Sequence, residues 1–357
     1  MKNKRTLLIT ENLGSGGAER QLTGLAVLLK NKGYIVKVIT YVENQFYETY
    51  LLENGIDYAL VPKLRNKYTR VFYIVNELRQ YNPDIIVSFL PSVNLSMCLS
   101  NFFYRAKLIV SERTHTMSWN FSSRFRFLLY CIADYVVANS YSEKENISSH
   151  CSFLKDKVLA IPNFINIDKF IPRYKIKNHQ LFTIVSVGRV IPEKNILRYI
   201  EAINLLKDKG FLIKYTWVGS HYNVDYVSRV KSLIHKYHLE DVFELKDHTT
   251  NIVEYYQEAS AFCLPSLYEG YPNVLCEAMS CALPVICSNT CEMPNIVHDG
   301  ENGYLFNPYD VNSIASAVEK IYTLSNERLT EMGKTNRMKV KAENSTEKFV
   351  NRYIELF

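Results

Sequence analysis

Two glutamates eight residues apart, Glu269 and Glu277 in the string Pro265 to Met279, PSLYEGYPNVLCEAM, hold the types and spacing best suited to chemistry. The apolar run Ala261 to Leu264 ahead of them reads as a short buried strand, and a helix is expected from about Asn273. Pro265, Gly270 and Pro272 stop either element from running through the join. Glu269 therefore falls in the turn and Glu277 in the helix, so that two carboxylates frame a helix N-terminus. Unpaired N–H groups and the positive end of the helix dipole make such a terminus a seat for phosphate. The carboxylates can take hydrogen bonds from hydroxyls on either side of that anion. A phosphate flanked by polyols describes a nucleotide sugar, with ribose at one end and a second sugar at the other.

Cations stand where that anion would need them. Arg189 and Lys194, five apart in LFTIVSVGRVIPEKN, follow a buried strand broken at Gly188, and both side chains can converge on one phosphate. Each charge-assisted hydrogen bond of this kind adds roughly 1.5 to 3 kcal/mol. Near the start, a strand over Arg5 to Thr10 leads into ENLGSGGAER and a helix running to about Lys30, closed by Gly33. The pattern GxGxxG fails there, because Gly14 and Gly16 are followed by Glu19, and no acidic residue stands near the end of the next strand until Glu43. This argues against a nicotinamide or flavin dinucleotide. Gly14, Gly16 and Gly17 still allow a backbone to approach a ligand closely.

The elements that must hold these groups alternate as strand and helix. IIVSFL after Pro83-Asp84, Lys107 to Ser111, Asp134 to Ala138, Tyr215 to Gly219 and Val242 to Leu245 read as further strands, which fits parallel sheets covered by helices. A chain of 357 residues with 47% hydrophobic content can bury two cores. The expected division is residues 1–168 and 175–341, joined by a Pro- and Asn-rich linker, Ile161 to Lys175, with a C-terminal helix over about 342–357. Gly300 and Gly303 are expected to mark turns. No DxD sequence is present, and Cys263, Cys276, Cys281, Cys287 and Cys291 lack zinc-like spacing, so buried reduced thiols and no metal are expected.

Charge is uneven. Residues 1–170 hold 21 Lys and Arg against 14 Asp and Glu, and the rest hold 21 against 22, so the first part carries the whole net charge of +6. An anionic partner for the first domain follows, such as a phospholipid surface or a pyrophosphate-linked acceptor, and nothing suggests nucleic acid. In Trp119 to Cys131, WNFSSRFRFLLYC, Phe121, Phe125, Leu128 and Leu129 share one helical face with Arg124 and Arg126 off it. That pattern suits a helix lying in a membrane interface and equally one packed on a core. LRNKYTR, Leu64 to Arg70, is a second basic and aromatic patch. The N-terminal lead is too short for a signal peptide, and no run approaches the ~18 apolar residues of a membrane span, so a cytoplasmic protein is expected, peripheral on the inner face of the membrane.

The string PSLYEGYPNVLCEAM resembles the signature of glycosyltransferase family 4, and the resemblance recurs in order at GGAER, at Arg189 with Lys194, at Trp217-Val218-Gly219 and in EMPNIVHDGENGYLF. It implies a GT-B fold: two Rossmann-like domains facing each other across a cleft, with the last helix, carrying Phe349, Tyr353 and Phe357, returning to the first. It implies metal-independent transfer, with retention, from a nucleotide diphosphate sugar to a lipid-linked or oligosaccharide acceptor, and no cofactor beyond the donor. On this reading Arg189 and Lys194 grip the diphosphate, Glu277 holds the ribose and Glu269 the transferred sugar. Backbone groups of Gly270, Tyr271, Asn273 and Val274 bind sugar and phosphate oxygens, and Gly16 and Gly17 face the donor phosphates. A donor-contacting histidine of many members falls in ERTHTMSW, on Arg113 or on His115. The sequence departs from the family at Asp247, where relatives carry glycine near the nucleotide base, and at Ser220 and His221. A sugar-nucleotide epimerase of the same architecture, or a scaffold without turnover, would share most of these features.

Overall fold

The computed structural model describes residues 3–44, 46–173 and 181–357. It divides into two compact units, residues 1–164 with 346–357, and residues 165–345.

In the first unit the chain runs β1 (Arg5–Ile9), α1 (Gly17–Asn31), β2 (Ile35–Thr40), α2 (Glu48–Glu53), β3 (Asp57–Leu60), α3 (Arg70–Tyr81), β4 (Ile85–Phe89), α4 (Pro91–Tyr104), β5 (Lys107–Glu112), α5 (Phe121–Leu129), β6 (Tyr135–Ala138), α6 (Tyr141–His150) and β7 (Val158–Ala160). The second continues with β8 (Phe182–Val187), α7 (Ile196–Asp208), β9 (Ile213–Val218), α8 (Val224–Lys236), β10 (Phe243–Lys246), α9 (Ile252–Glu258), β11 (Ala261–Leu264), α10 (Asn273–Ser280), β12 (Val285–Ser288), α11 (Met293–Ile296), β13 (Gly303–Phe306), α12 (Val311–Tyr322) and α13 (Asn326–Glu343). The final helix, α14 (Thr346–Ile354), belongs to the first unit.

Both sheets are parallel, in the orders β3-β2-β1-β4-β5-β6-β7 and β10-β9-β8-β11-β12-β13. Strands covered by helices on both faces bury both sides, which is why IIVSF and AFCL are apolar throughout or nearly so and fully buried. Each sheet reverses direction once, between β1 and β4 and between β8 and β11. In open sheets of this kind ligands bind beyond the carboxyl ends of the strands at that reversal. Periodicity did not reveal β3 or β7, four and three residues long at the two edges of the first sheet.

Helix α14 is amphipathic, and its apolar side is buried with α1: Phe349, Val350, Tyr353 and the following Phe357 share a core with Leu22 and Leu25. Phe357 stacks edge-on to Tyr34 at 5.3 Å and Glu347 pairs with Lys32 at 2.7 Å. The expected linker is anchored at several points rather than free, although Asn166, Asp168, Lys169, Ile171 and Arg173 are exposed. Ile161 lies in the core of the first unit, while Ile165 and Phe170 lie in a core of the second; positions 174 and 175 fall outside the described residues. Gly303 corrects the reading of it as a turn. It opens β13, and a Cβ there would meet the carbonyl of Val285 at 2.5 Å, so close pairing with β12 is what requires glycine. Gly300, at φ +77°, does form the turn.

Candidate functional site

The reversal point of the second sheet gathers most of the expected donor residues. Strand β8 leads into a loop ending in a 3-10 turn, Pro192–Lys194, and the neighbouring β11 leads into the turn carrying Glu269. The Leu267 N–H donates to the Glu193 carbonyl at 2.8 Å and ties the two loops together. Across them the Lys194 ammonium contacts the Glu269 carboxylate directly, both side chains being mostly buried, and Ser266 Oγ donates to the same oxygen at 2.7 Å. Gly188 makes room for this: a Cβ there would press on Lys194 Cε at 3.2 Å. The Gly188 carbonyl accepts from buried Trp217 at 2.8 Å, and Gly219 packs so tightly on it that a Cβ would sit 1.9 Å from that oxygen. Arg189 is exposed, with no ion pair among the described residues.

Helix α10 starts at Asn273 with no side-chain cap. The Asn273 N–H bonds the Tyr271 carbonyl at 2.9 Å, whereas no hydrogen bond takes the amides of Gly270, Tyr271 or Val274 among the described residues. Uncapped amides beside a cation offer an anion two kinds of partner. The Tyr271 side chain points away from that role: it is buried, its hydroxyl accepts from Asn344 Nδ2 at 2.6 Å, and burial raises its pKa well above the usual phenol value. Only its backbone is available. Glu277 is also buried, and the buried Tyr256 hydroxyl donates to its Oε2 at 3.2 Å.

In the first unit Gly16 precedes the first residue of α1, Gly17, and both are exposed. The carboxylate of Glu19 folds back over Gly16, where a Cβ would overlap it, and burial raises its pKa, with Glu11 pushing the same way. Beyond β5 the two alternatives of the sequence separate. Arg113 is buried; its guanidinium lies 4.6 Å over the Phe89 ring and donates to Asn163 Oδ1 and, at 3.3 Å, to Ser111 Oγ, and burial lowers its pKa. His115 keeps 18% of its side chain exposed and places Nδ1 2.7 Å from Glu143 Oε2. In helix α5 Ser123 and Phe127 face the core, as does Tyr130 just beyond it, while Phe121, Phe125 and Leu128 are 85%, 48% and 55% exposed.

Sequence reasoning missed Ser266, Tyr256 and Glu143. The Ser-x-x-Glu spacing, shared by Ser140 with Glu143 and by Ser266 with Glu269, was a legible signal for two of them. Among the described residues no three His, Cys, Asp or Glu side chains gather as a metal site, and no helix is long and apolar enough to cross a membrane.

Two family models match nearly end to end: Glycosyltransferase Family 4 over residues 15–169 and Glycosyl transferases group 1 over residues 168–339. The chain is 25% identical over 325 residues, 88% of each chain, to the amylovoran biosynthesis glycosyltransferase AmsD of Erwinia amylovora. It is 26% identical, over 90% of this chain and 89% of the other, to a Campylobacter jejuni alpha-1,4-N-acetyl-D-galactosaminyltransferase named for a diNAcBac-PP-undecaprenol-linked substrate. The crystal structure of Anabaena HepE in complex with UDP and glucose superposes with a TM-score of 0.85 at 18% identity, covering 99% of both chains. Fold and both family matches agree: this protein is a glycosyltransferase of family 4, with the GT-B fold and the nucleotide-sugar chemistry, retaining and metal-independent, of that family.

Proposed function

We propose that the protein transfers a hexose or N-acetylhexosamine, with retention, from a UDP-sugar to a lipid-linked oligosaccharide or surface-polysaccharide precursor. The observation that carries the donor half of this reading is the Lys194–Glu269 contact beside the uncapped start of α10. In the proposal Lys194 and Arg189 neutralise the diphosphate, together with the free amides of Gly270, Tyr271 and Val274 and those of Gly16 and Gly17. These fixed donors stabilise the charge that develops on the leaving group. Glu269 then holds hydroxyls of the transferred sugar and Glu277 those of the ribose. His115, not the buried Arg113, makes the remaining contact to the donor sugar. The leaving phosphate accepts the proton of the acceptor hydroxyl, so no separate base is required. Residues 1–168 with 342–357 form the acceptor side, and 175–341 the donor side.

The acceptor half rests on the first unit. Phe121 and Phe125, stacked at 6.4 Å, and Leu128 present an exposed apolar strip on a helix whose Arg124 is also exposed. Aromatic groups among headgroups with guanidinium on phosphate hold a helix at an anionic bilayer surface, and a lipid-linked acceptor is reached from there. Likeness to the Campylobacter transferase, named for a PP-undecaprenol-linked substrate, supports a lipid-linked acceptor, and likeness to the amylovoran enzyme supports polysaccharide biosynthesis.

Calorimetry with UDP tests the donor site: Lys194→Ala and Glu277→Ala each lower affinity at least tenfold, from the phosphate and ribose sides. Unchanged affinity in both variants overturns the placement. A panel of UDP-sugars incubated with a polyprenyl-diphosphate saccharide, read by mass spectrometry, tests transfer.

A further inference from the structure

Glu269 is held by one of its two carboxylate oxygens. Ser266, fully buried just beyond β11, donates its hydroxyl to Glu269 Oε1 at 2.7 Å. The Lys194 ammonium contacts that same oxygen from the neighbouring loop. A carboxylate oxygen offers two lone pairs, so two donors fill Oε1. Among the described residues no hydrogen bond takes Oε2, and 14% of the side chain stays exposed. All three residues belong to the second unit, which also carries the uncapped start of α10.

The two donors differ in kind. An ammonium on a flexible four-carbon stem is a point charge that can meet either carboxylate oxygen, or a phosphate. A serine hydroxyl has a short reach and is fixed by its own backbone, so it meets only the oxygen turned towards it. Nor does the turn depend on Ser266 for its shape. The Leu267 N–H is bonded to the Glu193 carbonyl at 2.8 Å, and Pro265 and Pro272 restrict the chain on either side. Among the described residues the Ser266 hydroxyl bonds no backbone group, only the tip of the Glu269 side chain.

We infer that Ser266 is a positioning residue: by holding Oε1 it turns Oε2 of Glu269 towards a hydroxyl of the transferred sugar. This rests on the reading of Glu269 given above and adds which oxygen meets the sugar and which group sets it. An ionised carboxylate only accepts hydrogen bonds, so the sugar must present O–H at that point, and fluorine in its place breaks the contact. Ser266, with no exposed surface, touches no substrate itself.

Calorimetry on the full chain compares UDP with whichever of UDP-glucose, UDP-galactose and UDP-N-acetylglucosamine binds the wild type most tightly. Ser266→Ala weakens that nucleotide sugar about tenfold, one hydrogen bond's worth, and leaves UDP unchanged. Ser266→Cys fills the same space with a weaker donor and shows a smaller loss of the same kind; it carries the test if the alanine variant does not fold. A hydroxyl that merely braced the turn would, when lost, shift the start of α10 and lower both affinities together. Deoxyfluoro analogues of the chosen nucleotide sugar, with one hydroxyl replaced at a time, then locate the contact. One analogue binds the wild type about tenfold more weakly than its parent, and Ser266→Ala costs nothing further on it. Equal losses for UDP and the nucleotide sugar, or a Ser266→Ala penalty that persists on every analogue, overturns the inference. So does an unchanged nucleotide-sugar affinity in Ser266→Ala beside a selective loss in Glu269→Ala. If Glu269→Ala itself spares the nucleotide sugar relative to UDP, the contact of Glu269 with the sugar is what fails.

Discussion

Lys194 and Glu269 lie 75 residues apart in sequence and in direct ionic contact in the fold, each side chain about 15% exposed. The group suited to a diphosphate and the group suited to the attached sugar are therefore held together before any ligand arrives. A desolvated pair of this kind leaves an uncompensated charge when one member is removed. Lys194→Ala and Glu269→Ala are each expected to lower the melting temperature, and the double variant to recover part of the loss. A double-mutant cycle by chemical denaturation checks this, with an expected coupling of roughly 1 to 3 kcal/mol. Coupling near zero would mean that the contact contributes nothing to holding the two loops.

The two glycines beneath this pair are expected to differ in kind. A methyl group at Gly188 meets only the flexible stem of Lys194, whereas one at Gly219 meets the backbone carbonyl of Gly188. Gly188→Ala should therefore keep the melting temperature within a few degrees and weaken UDP binding severalfold by displacing the ammonium. Gly219→Ala forces two loops apart and should cost about 3 kcal/mol or more. Thermal unfolding and calorimetry on the two variants give opposite patterns if the packing is as described.

Exposed Phe121 and Phe125 add little to the stability of the fold, since they cover no core. Replacing both by serine should leave the melting temperature nearly unchanged. If the strip docks on a bilayer, the same change lowers co-sedimentation with vesicles containing anionic phospholipid at least tenfold, because each phenylalanine loses about 1.5 to 3 kcal/mol of apolar burial. Equal sedimentation of variant and wild type would remove the strip from the proposal.

Glu112 supplies a pH-dependent term. Burial raises its carboxyl above the usual range, Arg126 and the Tyr130 hydroxyl pull it down, and Glu143 pushes it up, with burial dominant. A raised carboxyl pKa means that the folded state keeps its proton longer than the unfolded chain. Its contribution to stability is complete below the ordinary carboxylate range and is lost as pH climbs through the raised value. Glu112→Gln removes that loss. Variant and wild type should melt at similar temperatures in acid, and the variant should gain on the wild type as pH rises to neutrality; a constant difference across the range would contradict the assignment.

Much of this was written in the sequence because it is local. Apolar runs of four to six residues bounded by Gly and Pro fix buried strands such as Ala261–Leu264, and a turn followed by a helix fixes that Glu269 and Glu277 bracket a helix start. The return of the last helix to the first unit, with Phe349, Tyr353 and Phe357 buried, was implied by the resemblance to family 4. What only the tertiary structure decided is non-local. Pairing of β8 with β11, strands that are not consecutive, is what brings Lys194 onto Glu269, and no periodicity in either segment specifies a neighbour some 75 residues away. Amphipathicity marked the apolar face of α5, but a face that packs on a core and one left exposed share the same pattern, and the fold buried Phe127 in a core while leaving Phe121 and Phe125 exposed. Arg113 and His115 could not be told apart in the chain, two residues from each other after one strand. The fold separated them by burying the guanidinium with Asn163 and turning the imidazole to Glu143, because contact with groups distant in sequence, not residue type, sets what a side chain can reach.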